Sequence, residues 1–197
     1  MVTDALVGLA AVITATAALF GLIIGRRELQ TRAEFDVARK LIRATYRLRD
    51  AVQTFRSPLI RQSEFPRGHE DGMASKTPEE TAKAYAYMYE NRWIPVWDAV
   101  QEFDTHTLEA EALWGKPMRT QTDELRQCVI ELYTAVEAVI RDKAQQGDDF
   151  KADKKFAKEM RSTVSSVGGD EKNPLSIKIA AAIKGIEDQI RPHLRRS

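Results

Sequence analysis

Residues 5–25 form a run of 21 positions without a charge or a proline, and Arg26 and Arg27 follow at once. No other feature limits this chain as tightly. Thr14 and Thr16 are its only hydroxyl-bearing members, and a helix absorbs them by bonding back to its own carbonyls. At 1.5 Å per residue the run spans roughly 31 Å, the hydrocarbon thickness of a bilayer. It therefore reads as a transmembrane anchor. A cleaved signal peptide fits less well, because the first residues, Met-Val-Thr-Asp, carry no basic charge and the apolar stretch exceeds the usual 7–15 residues. A buried soluble helix of this length would show a polar side.

The flanks predict orientation. Asp4 lies before the run, whereas Arg26, Arg27, Arg32, Arg39, Lys40 and Arg43 follow it. The positive-inside rule places residues 26–197 in the cytoplasm and the N-terminus outside, in the inner membrane if the source is bacterial. The lone Cys128 suits a reducing compartment and rules out an internal disulfide framework. Small residues Ala10, Thr14, Ala17, Ala18, Gly21 and Gly25 share one face of the anchor, and Gly21 and Gly25 have the spacing that lets two spanning helices approach closely. That face is a candidate for self-association. Arg26, Arg27 and Arg32 are candidates for contact with anionic lipid at the membrane surface.

Everything after the anchor reads as helix, so the predicted fold class is all-α: one N-terminal transmembrane helix, then a cytoplasmic bundle of four to five helices over residues 26–197. Residues 28–56 contain neither Gly nor Pro, and nothing at Arg26 or Arg27 interrupts continuity with the anchor. Ala38, Leu41, Thr45, Leu48, Val52, Phe55 and Leu59 mark a buried stripe at alternating three- and four-residue spacing. Ser57-Pro58 ends this helix. Residues 57–76 lose periodicity and read as an irregular, partly mobile excursion, with Leu59, Ile60, Phe65 and Met73 as possible pins.

Thr77-Pro78-Glu79-Glu80 is a capping box with proline at the first helical position. The stripe beyond it runs Ala82, Ala86, Tyr89, Trp93, Val96, Val100, Phe103, with a kink predicted at Pro95. Gly115 and Pro117 stop this helix. A further helix is predicted over residues 118–146, with Leu125, Cys128, Val129, Leu132, Val136, Val139 and Ile140 inward and Gly147 closing it. Phe150, Phe156, Met160 and Val164 suggest a short helix, followed by weak helix formers that permit extended chain. Asn173 and Pro174 open a last helix with Leu175, Ile179, Ile183, Ile186, Ile190 and Leu194 on one side.

The near-zero net charge of +1 conceals blocks of +6 over residues 26–67, −9 over 68–149 and +5 over 150–197. Such segregation predicts basic first and last helices beside an acidic middle pair. It also argues against a nucleic-acid partner, which selects a strongly basic chain. Arg39, Arg43 and Arg47 form a like-charge row that implies a nearby anion. For Arg43 and Arg47, some 25 Å further along the helix than the first group, that anion is read as the acidic helices or Asp36 and Asp50, since surface potential decays over about 8 Å.

Glu102, His106 and Glu109 share a helix face and form a weak candidate for a metal. A bundle metal centre needs a Glu-x-x-His from each of two helices, and His69 and His193 do not supply the second, so no metal or cofactor is expected. The aromatic cluster Tyr85, Tyr89, Trp93, Trp97 and Trp114 reads as core rather than ligand cage, with Tyr87 exposed. Cys128, on an apolar stripe, reads as a small core residue. No phosphate loop, dinucleotide fingerprint or hydrolase motif occurs, so no catalytic residue is assigned. Together these features predict a membrane-tethered helical interaction or signalling module. Its expected partners are the lipid bilayer and either a protein or a second copy. A self-associating membrane effector or channel-like assembly is one alternative; an enzyme or ligand sensor using the acidic and aromatic region is another.

Overall fold

The computed structural model describes residues 2–68, 77–166 and 172–194, with side chains described from Gly25 onward. Among the described residues the chain is all-helical. Six α-helices occur in the order α1 (Val2–Phe55), α2 (Pro78–Trp114), α3 (Lys116–Ala144), α4 (Asp148–Ala152), α5 (Lys154–Val164) and α6 (Pro174–Leu194), with one 3-10 turn (Gln62–Glu64) between α1 and α2. No helix among the described residues is long and apolar enough to cross a membrane. The side chains of residues 1–24 lie outside that description, and with them the predicted anchor and the face formed by Ala10, Thr14, Ala17, Ala18 and Gly21.

Four helices form a ring: α1 packs on α2, α2 on α3, α3 on α6 and α6 on α1, while α5 lies against α3. Cross-helix pairs fix the directions. Lys40 and Arg47 meet Glu109 and Glu102, Asp104 and Glu111 meet Arg126 and Arg119, Gln121 and Glu131 meet Gly185 and Lys178, and Glu34 and Tyr46 meet His193 and Glu187. In every case residue numbers rise on one helix as they fall on the other, so each seam is antiparallel and the bundle is up-down-up-down. The charge blocks follow the ring only in part: α1 and α6, both net basic over their described side chains, are neighbours, but of the expected acidic pair only α2 is acidic, since the five basic and five acidic residues of α3 cancel and the remaining acidic charge of the 68–149 block lies outside both helices.

The predicted α1 stripe is buried from Ala38 through Phe55, with Ala44 added. Thr45 is tolerated there because its hydroxyl donates to the Leu41 carbonyl at 2.8 Å. Leu59 does not continue the stripe: the helix ends at Phe55, and Leu59 is exposed. The bundle first grips α1 near Glu34, where His193 Nδ1 lies 3.0 Å from the carboxylate. Arg26, Arg27 and Arg32 stand on an exposed stalk before that point.

Residues 57–68 are less free than expected. Arg92 donates to the carbonyls of Phe55, Ser57 and Leu59 at 3.2, 2.9 and 2.6 Å and pairs with Glu64. Phe65 meets Tyr85 edge-on at 5.4 Å. Leu59 and Ile60 are exposed and pin nothing, and Met73 lies outside the described residues. Thr77 and Glu80 form the expected reciprocal cap at 3.2 and 2.8 Å. Helix α2 then passes Pro95 unbroken. The Asn91 carbonyl that loses its amide partner there sits on an exposed stretch open to water. The expected short helix after Gly147 is two: Asp153 divides them, accepting from the amides of Lys155 and Phe156 at 3.0 and 2.9 Å.

Candidate functional site

The weak metal candidates do not converge. Glu102 is taken by Arg47 on α1. His106 Nδ1 faces Glu109 Oε2 at 3.6 Å, but Lys40 Nζ lies 3.6 Å from the same oxygen. A metal there would meet an ammonium. Among the described residues no three potential ligands gather around a common point.

The row on α1 finds its anions in part: Arg39 and Arg47 are paired, Arg43 makes no ion pair among the described residues, and Lys40 beside the row is paired as well. Arg47 pairs with Glu102, Lys40 with Glu109, and Arg39 approaches Asp36 at 3.7 Å. Asp50 serves Arg49, at 2.8 Å, rather than Arg47. On the stalk Arg32 pairs with Glu28, one turn earlier, at 2.8 Å, both side chains remaining mostly in water.

A well-formed concavity lies along the seam between α2 and α3. A hollow of about 630 Å³ is lined by Tyr89, Glu90, Trp93, Ile94, Trp97, Tyr133, Glu137 and Arg141 among others. A second, of about 490 Å³, is floored by Leu48 of α1 and walled by Trp97, Val100, Phe103, Arg126 and Ile130. Trp93, Trp97 and Tyr133 belong to both, so the two form one groove.

Local sequence explains why these side chains stay outside. Trp97 lies one position beyond the inward Val96, and Ile130 and Tyr133 each follow an inward residue, Val129 and Leu132. On a helix that step turns a side chain by about 100°, off the buried stripe. Trp97 is 55% exposed, Ile94 58%, Ile130 54% and Tyr133 47%. Trp97 is thus not the core residue its sequence context suggests, whereas Tyr89 is buried and Tyr87 is exposed as expected. Trp93 links core and groove, meeting Phe55 at 5.0 Å on one side and Tyr133 at 5.3 Å on the other. The readable signal was a set of four large apolar residues beside, not on, the stripes of two consecutive helices.

The groove's electrostatics are one-sided. Its two arginines are occupied: Arg126 bonds Asp104 and Asp123 at 2.7 and 2.8 Å, and Arg141 faces Asp149 at 3.6 Å. Glu90 and Glu137 are exposed and make no ion pair among the described residues. Glu137, by its charge and a hydrogen bond, and then burial and the Glu90 charge, hold the Tyr133 phenol above its ordinary pKa. Both carboxylates therefore act at the same aromatic ring.

Other features read as structural. Cys128 is buried, and burial pushes its thiol up to about 11, which keeps it protonated and inert. A hollow of about 560 Å³ beside α4 and α5 is bordered by Lys151, Lys154, Lys158 and Arg161, all of them exposed, and is a solvated basic surface.

No family model matches this chain, and no curated protein or solved structure is significantly similar to it.

Proposed function

We propose that this chain is a membrane-tethered helical interaction module, single-pass, with its bundle on the cytoplasmic side. The observation that carries the reading is the continuity of α1. One helix from Val2 to Phe55 joins the uncharged 21-residue run to a bundle whose α2/α3 seam presents an uncovered aromatic groove. Contiguous exposed apolar surface of that kind marks interaction sites on otherwise polar proteins. The basic stalk residues Arg26, Arg27 and Arg32 sit where anionic headgroups begin on this reading.

Fractionation of the full chain and of a form lacking residues 1–25 tests the tether. The full chain is expected to stay with membranes through alkaline carbonate and to leave only with detergent; the shortened form is expected in the soluble fraction. Extraction of the full chain by carbonate would refute the anchor.

A second reading, self-association of the anchors, draws on Gly25. A Cβ added there meets nothing within 4 Å, so no contact among the described residues accounts for a residue that costs a helix interior about 1 kcal/mol. Crosslinking in membranes should give dimers that Gly25→Leu abolishes; unchanged dimers in that variant would remove this reading.

A further inference from the structure

We infer that the α2/α3 groove receives an amphipathic helix of a different protein, with an apolar face and flanking lysines or arginines. The inference rests on the interaction-module reading and adds the chemistry of the partner.

Three observations select this occupant. The first is shape. The groove follows the seam of an antiparallel helix pair from Ala86 to Phe103 on α2, about 25 Å at helical rise. That is the length of four to five turns, and a helix is the element that fits a seam between two helices. Among the described residues the ring α1-α2-α3-α6 leaves this seam without a covering element, since α5 packs on α3 and residues 57–64 after α1 are drawn to Arg92.

The second is charge. Both arginines in the groove are neutralised by neighbouring aspartates, while Glu90 and Glu137 face solvent without an ion partner among the described residues. The rim is thus net negative, which favours a basic ligand and sets like charges against each other if two copies meet groove to groove. The aromatic walls add to this choice, because the faces of Trp97 and Tyr133 attract ammonium and guanidinium groups.

The third is position. Leu48, at the groove floor, lies 23 residues after Gly25, about 35 Å along α1. With the anchor in the bilayer, the groove stands beyond the reach of the lipid surface potential. A negative rim is also repelled by anionic lipid. The exposed tryptophan and isoleucines are therefore placed for protein rather than membrane.

The test uses the full chain in the cells that express it, with a photo-crosslinking phenylalanine analogue at Trp97, at Ile130 and, as an exposed control on α6, across the ring from α2, at Gln189. Mass spectrometry then maps the joined peptide. The expected product joins Trp97 and Ile130, but not Gln189, to one segment of another protein with apolar residues at helical spacing and flanking basic residues. Glu90→Lys combined with Glu137→Lys should reduce that product at least tenfold while leaving the thermal midpoint of the purified protein unchanged. A product from a second copy of this chain, from lipid, or from an acidic or non-helical segment would overturn the basic-helix inference while the membrane-tether result stands. Crosslinking at Trp97 and Ile130 no greater than at Gln189 would remove the docking groove altogether.

Discussion

At the scale of single residues, the bundle is closed by a buried cation. Arg56 is 3% exposed and sits one residue past the end of α1. Its guanidinium donates to the Thr163 carbonyl at 2.8 Å, the Ser162 carbonyl at 3.1 Å, Asn173 Oδ1 at 2.7 Å and Ser176 Oγ at 3.1 Å. It thereby ties α1 to the last turn of α5 and the first turn of α6. Arg56→Leu leaves these acceptors buried and short of a donor, a loss of about 3 kcal/mol. Arg56→Lys should recover part of it, since an ammonium keeps the charge but lacks the fork. Denaturant titration of the full chain in mild detergent measures both; a Leu variant as stable as the native protein would contradict this role. A second residue-scale expectation concerns alkaline pH. Burial pushes the Cys128 thiol up to about 11, from an ordinary 9.0, and the Tyr89 phenol up to about 12, from 10.0. Raised folded-state values mean their contribution is complete below the unfolded values and is lost as pH climbs through the folded ones. The thermal midpoint should hold up to about pH 9 and decline from there toward pH 12, and Cys128→Ala with Tyr89→Phe should flatten that decline. Arg56 and Cys128 do not follow from sequence spacing with equal clarity. Cys128 lies on a stripe and was legible, whereas Arg56 owes its burial to segments more than a hundred residues away.

At the scale of elements, local chemistry decides the ends and tertiary contact decides the faces. The Thr77 cap, the Gly115 stop and the Asn173-Pro174 start are each set by a few adjacent residues, so all three could be read directly. Thr77→Ala removes an acceptor for the Glu80 amide, 3.2 Å away, and half of a reciprocal pair. The expected cost is about 1 kcal/mol, read as a lower urea midpoint with unchanged slope; no shift would mean the cap is idle. The faces of α2 were only partly legible. A single stripe captures Ala82, Tyr89, Val96 and Phe103, but Ala84, Met88 and Ala99 are buried as well, because α2 packs between α1 and α3 and needs a wider apolar side than one partner demands. The same ambiguity hid the groove. Trp97, Ile94, Ile130 and Tyr133 border the stripes, and periodicity alone assigns border residues to the core by their hydrophobicity. Only the placement of α1 and α5 shows which border stays uncovered. The division of α4 from α5 at Asp153 was missed for a related reason. An aspartate inside a short amphipathic stretch is equally a surface residue or a new cap, and here its carboxylate reaches the Lys155 and Phe156 amides.

At the scale of the whole molecule, the charge blocks act on arrangement more than on stability. Each seam of the ring carries at least one polar tie: Arg47 to Glu102 and Lys40 to Glu109 between α1 and α2, Arg126 to Asp104 between α2 and α3, Lys178 to Glu131 between α3 and α6, and Tyr46 to Glu187 between α1 and α6. An up-down bundle has a mirror-like competitor in which the order of helices around the ring is reversed, and apolar stripes discriminate poorly between the two. Opposite charges across specific seams favour the observed order and penalise others. The energetic effect of any one tie is nevertheless small. Arg47 is 59% and Glu102 34% exposed, so water and salt screen the pair to about 0–1 kcal/mol. A double-mutant cycle separates the two roles. Arg47→Glu and Glu102→Arg alone should each lower stability by under about 1.5 kcal/mol, the like-charge contact adding to the lost attraction. The doubly exchanged protein should return to within about 0.5 kcal/mol of the native value, because the seam regains an opposite pair in the same place. Repeating the cycle in 1 M NaCl should shrink the coupling toward zero. A coupling well above 1 kcal/mol that survives high salt would mean that this seam, despite its exposure, is held by the ion pair itself and not by the Leu48, Phe103 and Val96 contacts beneath it.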